Sequence, residues 1–156
     1  MKINYQLTIL ILMVPLSSWC QSDTIYYFGV NGKTGEIKNS EVKKDITYIS
    51  DKDIRVETSH IKNGKWYLAL TEKIKIVDEN EYKIHIKGPK FSGKVVREFE
   101  KLDSNAFNFT DRINKSVIRT GETSSRIPLI FTGEVIEYYK NGIKKSVSVY
   151  KNNELV

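Results

Sequence analysis

The sequence predicts an all-β protein, an open meander sheet of antiparallel β-hairpin repeats, and three observations carry that prediction. From residue 21 onward the chain has sixteen Ile and eleven Val but only five Leu and two Ala, a balance that favours strands over helices. Asn-Gly occurs at Asn31-Gly32, Asn63-Gly64 and Asn141-Gly142, each time after strand-like residues, and Asn-Gly readily adopts the positive φ of a tight hairpin turn. A ten-residue stretch also recurs at an offset of 40. Phe91-Ser92-Gly93-Lys94-Val95-Val96-Arg97-Glu98-Phe99-Glu100 matches Phe131-Thr132-Gly133-Glu134-Val135-Ile136-Glu137-Tyr138-Tyr139-Lys140, with Phe, Gly and Val kept and the other changes largely conservative. Alone, Val95, Phe99 and Leu102 also fit a helical stripe, but the second copy leads into a hairpin turn, which favours strand for both.

The first twenty residues read as an export segment. Lys2 precedes the apolar run Leu7-Thr8-Ile9-Leu10-Ile11-Leu12-Met13-Val14-Pro15-Leu16, which is followed by Ser17-Ser18. Ten residues are too few for a spanning helix, which needs about twenty. Cleavage after Cys20 would put Ser18 and Cys20 at the two small-residue positions of a signal-peptidase site and start the mature chain at Gln21. Cys20 has a second reading as a lipid-bearing first residue, although Trp19 stands where that pattern takes Gly, Ala or Ser. Cys20 is the only cysteine, so its removal would exclude thiol catalysis, disulfides and Cys-based zinc sites. Residues 21–156 are then expected to form one domain, because no segment between them has linker composition.

Along that domain, Tyr82, Ile84 and Ile86 alternate with Lys83, His85 and Lys87, the pattern of a strand with one wet face. Further turns are expected at Asp78-Glu79-Asn80, Gly88-Pro89 and Asp103-Ser104-Asn105. At Asn63-Gly64 a two-residue turn pairs Ile61 with Trp66 and His60 with Tyr67, and both faces come out mixed. At Asn141-Gly142 the same rule makes Lys140 and Ile143 the first pair, so that Ile136 faces Val147 and Tyr138 faces Lys145. The expected core face of this hairpin carries Ile136, Tyr138, Ile143, Val147 and Val149, with Glu137, Tyr139, Lys144, Ser146 and Ser148 opposite. No Pro or turn signal is apparent after Ser146, so the last strand offers a candidate interaction edge over Ser146, Ser148, Val149 and Tyr150, unless a strand such as residues 113–119 covers it.

The second copy of the repeat also carries a resemblance. Gly133, the aromatic pair Tyr138-Tyr139, the turn Asn141-Gly142, Lys144-Lys145 and then Tyr150-Lys151-Asn152 are similar to the bacterial repeats grouped as MORN-like or YwqK-type antitoxin repeats, with Asn153 at the closing Gly position and Gly93 as the entry glycine of the first copy. More widely, the Asp23-Thr24-Ile25-Tyr26-Tyr27 opening, the divergent strands and the terminal hairpin look like the leader region of some exported proteins that continue into a TonB-type energy transducer. The resemblance implies a β-hairpin module in a bacterial envelope protein and supplies no catalytic residue.

Chemistry has little to draw on. Only His60 and His85 could serve as imidazole bases, and neither has triad spacing. Asp78, Glu79, Asn80 and Glu81 supply oxygens without the central Gly of a calcium loop. The basic excess, 25 Lys+Arg against 19 Asp+Glu, is dispersed, the longest runs being Lys43-Lys44 and Lys144-Lys145, which argues against nucleic acid as a partner. The bacterial resemblance implies that the sequons at Asn108 and Asn114 are incidental. The expected function is therefore non-enzymatic protein–protein interaction in the envelope, without a cofactor and with membrane contact only through a lipidated Cys20. The alternative is a structural spacer within a larger envelope protein.

Overall fold

A computed structural model describes residues 23–29, 40–89 and 91–156. The export segment with Cys20, and the Asn31-Gly32 turn, lie outside the described residues. The described chain forms eleven strands: β1 Asp23–Gly29, β2 Ser40–Tyr48, β3 Asp53–Lys62, β4 Lys65–Ile76, β5 Glu81–Lys87, β6 Ser92–Lys101, β7 Phe107–Ile113, β8 Ser116–Arg126, β9 Leu129–Tyr138, β10 Lys144–Lys151 and the two-residue β11 Glu154–Leu155. They make one antiparallel sheet in strict sequence order, the all-β open meander that composition and turn spacing predict.

The connections follow local turn chemistry. Asn63 and Gly64 have φ of 51° and 71° and join Lys62 to Lys65, giving the expected pairs Ile61 with Trp66 and His60 with Tyr67. Asn114-Lys115 and Asn152-Asn153 make turns of the same kind, with all four residues at positive φ. Neither turn contains Asn-Gly: Asn tolerates the left-handed region without a following Gly, and Lys115 adopts it beside Asn114. The first of these turns lies within residues 113–119, so that segment joins β7 to β8 inside the sheet and covers no edge. The expected turns at Asp78 and Asp103 are present, each with its carboxylate accepting from the backbone two residues on, Asn80 N at 2.7 Å and Asn105 N at 2.8 Å.

One face of the sheet carries the core. Ile46, Ile54, Val56, Ile74, Tyr82, Ile84, Val95, Phe99, Phe109, Leu129 and Val135 form a single buried cluster. Tyr82 and Ile84 are buried while Lys83, His85 and Lys87 are exposed, as the alternation requires. The sheet coils until β2 and β9 line one cavity from opposite sides. Edge-to-face contact of Tyr82 with Phe99 and stacking of Phe109 on Phe131 fill the interior. Both copies of the ten-residue repeat are strands, in β6 and β9, and each buries its shared valine, Val95 and Val135.

The terminal hairpin departs from expectation in two ways. Gly142 N donates to Tyr139 O and Gly142 takes φ 82°, so the loop has three residues and Tyr139, not Lys140, is bonded to Ile143. A bulge between Lys144 and Ser146 then restores the anticipated register, with Val147 opposite Ile136. The face, however, is reversed. Val135 is buried and Tyr150 packs on Phe131, whereas Val147 and Val149 are 51% and 43% exposed. The cause lies in β9: Val135 is committed to the core, and its neighbours on the outer face must take Val147 and Val149 with them.

Candidate functional site

The inner face of the sheet is not wholly apolar. Lys44, Glu72, Arg97, Asp111 and Arg119 stand on it at positions in phase with core residues: Lys44 two before Ile46, Glu72 two before Ile74, Arg97 between Val95 and Phe99, Asp111 two after Phe109. Register sets Arg97, Asp111, Arg119 and Glu137 side by side on β6, β7, β8 and β9. Lys145 then reaches Glu137 Oε2 at 3.3 Å, so the charges alternate in sign across five strands.

Asp111 is the centre of this row. Arg97 Nε donates to Oδ1 at 2.6 Å and Nη2 to Oδ2 at 3.1 Å, while Arg119 gives Nε and Nη2 to Oδ2 at 3.1 and 2.6 Å. Both guanidinium groups lie near the Phe109 ring, at 5.9 and 5.5 Å from its centroid, and Arg119 is 5.4 Å from Phe131. Burial pushes the Asp111 carboxyl up, but Arg97 and Arg119 outweigh it and hold the group below the usual carboxylate range. For Arg97, burial is likewise outweighed by Asp111, so its cation is reinforced.

Above this row lies a cavity of about 350 Å³ lined by Lys44, Glu72, Arg97, Arg119 and Arg126 and by apolar side chains that include Val56, Leu70, Ile86, Phe91 and Leu129. Burial depresses the Lys44 ammonium, Glu72 opposes that shift, and Arg97 and Arg119 add to it. Its Nζ sits 5.6 Å from the Phe28 ring. Arg126 spans the rim, its guanidinium over Phe107 and its Nη1 donating to Glu79 O. A second void of about 360 Å³ shares Ile86, Phe91 and Arg119 with the first.

The residues singled out by sequence are dispersed. Gly93 lies on β6 under the Phe91 ring, and Gly133 on β9 takes φ 78° opposite Tyr150. Tyr138, Asn141 and Gly142 line an outer groove, and Tyr139 is exposed. His60 and His85 are exposed on different strands. Among the described residues no cluster of His, Cys, Asp and Glu could hold a metal ion, and no helix is long and apolar enough to cross a membrane. Of the expected edge residues, Ser146 and Ser148 face Glu137 and Val135 across the β9 ladder, Val149 O accepts from Val156 N at 2.9 Å, and Tyr150 pairs with Leu155. The open part of the edge is thus narrower than expected. Since the backbone of Val149 bonds outward to Val156, strand alternation turns the N–H and C=O of Val147 outward too.

No motif marks the inner charges, yet each leaves a signal in the sequence: a charged residue in the apolar phase of a strand. No family model, curated protein or solved structure matches the chain.

Proposed function

We propose that the protein is an exported, non-enzymatic β-hairpin module that binds another polypeptide of the bacterial envelope through its C-terminal hairpin. The observation that carries this reading is the outer strip of Val147, Val149 and Val156, which is well exposed beside the outward backbone of Val147. A row of exposed valines at a strand edge favours an extended apolar segment of a partner, which gains backbone hydrogen bonds and buried area together. The bulge at Lys144 to Ser146 and the short β11 restrict pairing to a small window, which disfavours runaway self-association. Export is supported by the order Lys2, apolar run, Ser17-Ser18.

The test is site-specific photocrosslinking in producing cells from position 147, with exposed Glu100 as control. A discrete adduct from 147 that disappears with Val149→Asp supports the reading. Equal labelling from both positions, or none, overturns it. The intact mass of exported material separately decides between cleavage after Cys20, acylation on Cys20, and retention of Met1.

A further inference from the structure

The concave cavity combines two properties that a purely structural interior does not need together. Its cations, Lys44, Arg97, Arg119 and Arg126, outnumber the carboxylates near them, Glu72, Asp111 and, beside Arg119, Glu137, which Lys145 already pairs. Arg97 is buried and the other three are partly buried, and a cation drawn from water is costly unless an opposite charge compensates it. The donors are also unspent. Arg97 and Arg119 both bind Asp111 through Nε and Nη2, which leaves Nη1 of each uncommitted among the described residues. Lys44 makes no ion pair there. Apart from Thr58 the remaining wall is hydrocarbon and aromatic, and Phe91, which also lines it, is 39% exposed.

We infer that this cavity binds one single-chain anionic amphiphile, with its head group against Lys44, Arg97 and Arg119 and its chain along Leu70, Ile86 and Phe91. A bare inorganic anion would satisfy the cations and leave the apolar wall wet. A neutral hydrocarbon would do the reverse. At about 350 Å³ the cavity equals about a dozen water volumes of roughly 30 Å³ each, within the size range of small-molecule sites. Decanoate, with about a dozen non-hydrogen atoms, matches that volume. The adjoining void beyond Arg119 offers a longer chain room to continue.

Calorimetric titration of the purified chain with decanoate, decanol and inorganic phosphate, all below micellar concentration, tests the inference. Saturable one-to-one binding of decanoate is expected, with decanol and phosphate each at least about tenfold weaker, the effect of losing one charge-assisted contact or the apolar wall. Lys44→Met should weaken decanoate about tenfold and leave decanol unchanged. Leu70→Trp, which fills the cavity, should abolish both. The inference is overturned if decanoate does not saturate, if decanol or phosphate binds as tightly, or if Lys44→Met leaves decanoate affinity unaltered.

Discussion

Arg97 and Asp111 occupy directly opposed positions on β6 and β7, with Nε 2.6 Å from Oδ1 and both side chains almost completely buried at 3% and 2% exposure. Arg119 holds the corresponding place on β8 and completes a three-residue ion cluster in which one carboxylate serves two guanidinium groups. The sheet interior is therefore organised around a polar centre within an apolar shell.

Asp111→Asn should cost about 3–5 kcal/mol, because it strands the buried Arg97 cation without its counter-charge. Replacing the facing pair together, Arg97→Met with Asp111→Leu, should cost much less, since an apolar pair of similar volume avoids the desolvation of both ions. Urea unfolding of the two variants checks this. Equal losses would mean that the cluster carries no charge penalty and acts through shape alone.

The same cluster sets a pH dependence. Asp111 has its folded pKa depressed by Arg97 and Arg119, so the unfolded chain binds its proton first as pH falls. The stabilisation is present above the unfolded pKa of about 3.9 and is lost as pH drops through the lower folded value. Urea midpoints measured from pH 6 downward should therefore fall below about pH 4, with a slope of at most roughly 1.4 kcal/mol per pH unit from this residue. Asp111→Asn should remove that component of the slope.

Val147→Asp should leave the melting temperature nearly unchanged, whereas Val135→Asp should cost about 4 kcal/mol or more by burying a charge. Val147 is half-exposed on the outer face and Val135 is at 5% in the core. Thermal melts of the two variants suffice, and a large loss from Val147→Asp would mean that the outer strip is covered.

This contrast also marks how far the sequence could be read. Composition and Asn-Gly spacing were enough for the meander, and the two-residue turn at Asn63-Gly64 gave its pairs because two positive-φ residues admit one tight geometry. At Asn141-Gly142 the register survived a three-residue loop only because the bulge after Lys144 added the compensating residue. The face did not survive, since the outward row of Ile136, Val147 and Val149 is as apolar as an inward one. Period-2 patterning cannot tell a core row from a binding row. The ion cluster was hidden for the opposite reason: Arg97, Asp111 and Arg119 lie far apart in sequence and meet only through strand register.

Asn153 should prove a structural residue in place of a relaxed repeat-closing glycine. Its Oδ1 accepts from Phe131 N at 2.7 Å, its own N donates to Phe131 O at 2.9 Å, and its φ is 67°. Asn153→Gly keeps the conformation and loses one hydrogen bond, about 1 kcal/mol, while Asn153→Ala adds left-handed strain for a total of about 2 kcal/mol. The expected order of stability is Asn, Gly, Ala. A glycine variant at least as stable as the parent would show that the bond to Phe131 contributes nothing.

The two glycines of the ten-residue repeat should respond differently to alanine, although the sequence aligns them. Gly133 takes φ 78°, a conformation in which a Cβ is strained whatever the surrounding space. The atom that its Cβ would meet is Glu122 Oε2 at 2.7 Å, the end of an exposed flexible side chain that can turn away. Backbone strain of about 1–2 kcal/mol therefore sets the cost of Gly133→Ala, a fall of about 4 °C or more in melting temperature. Gly93 does not take the left-handed conformation, and its Cβ would meet Phe91 Cζ at 2.9 Å. Phe91 is partly solvent-exposed, so its ring can swing outward and relieve the contact at small cost. Gly93→Ala should thus lower the melting temperature by less than half as much as Gly133→Ala, while changing the shape of the cavity that Phe91 lines. Differential scanning calorimetry of both variants decides the point. Equal losses would mean that Phe91 is fixed over Gly93, and that the two copies are constrained to the same degree at their entry.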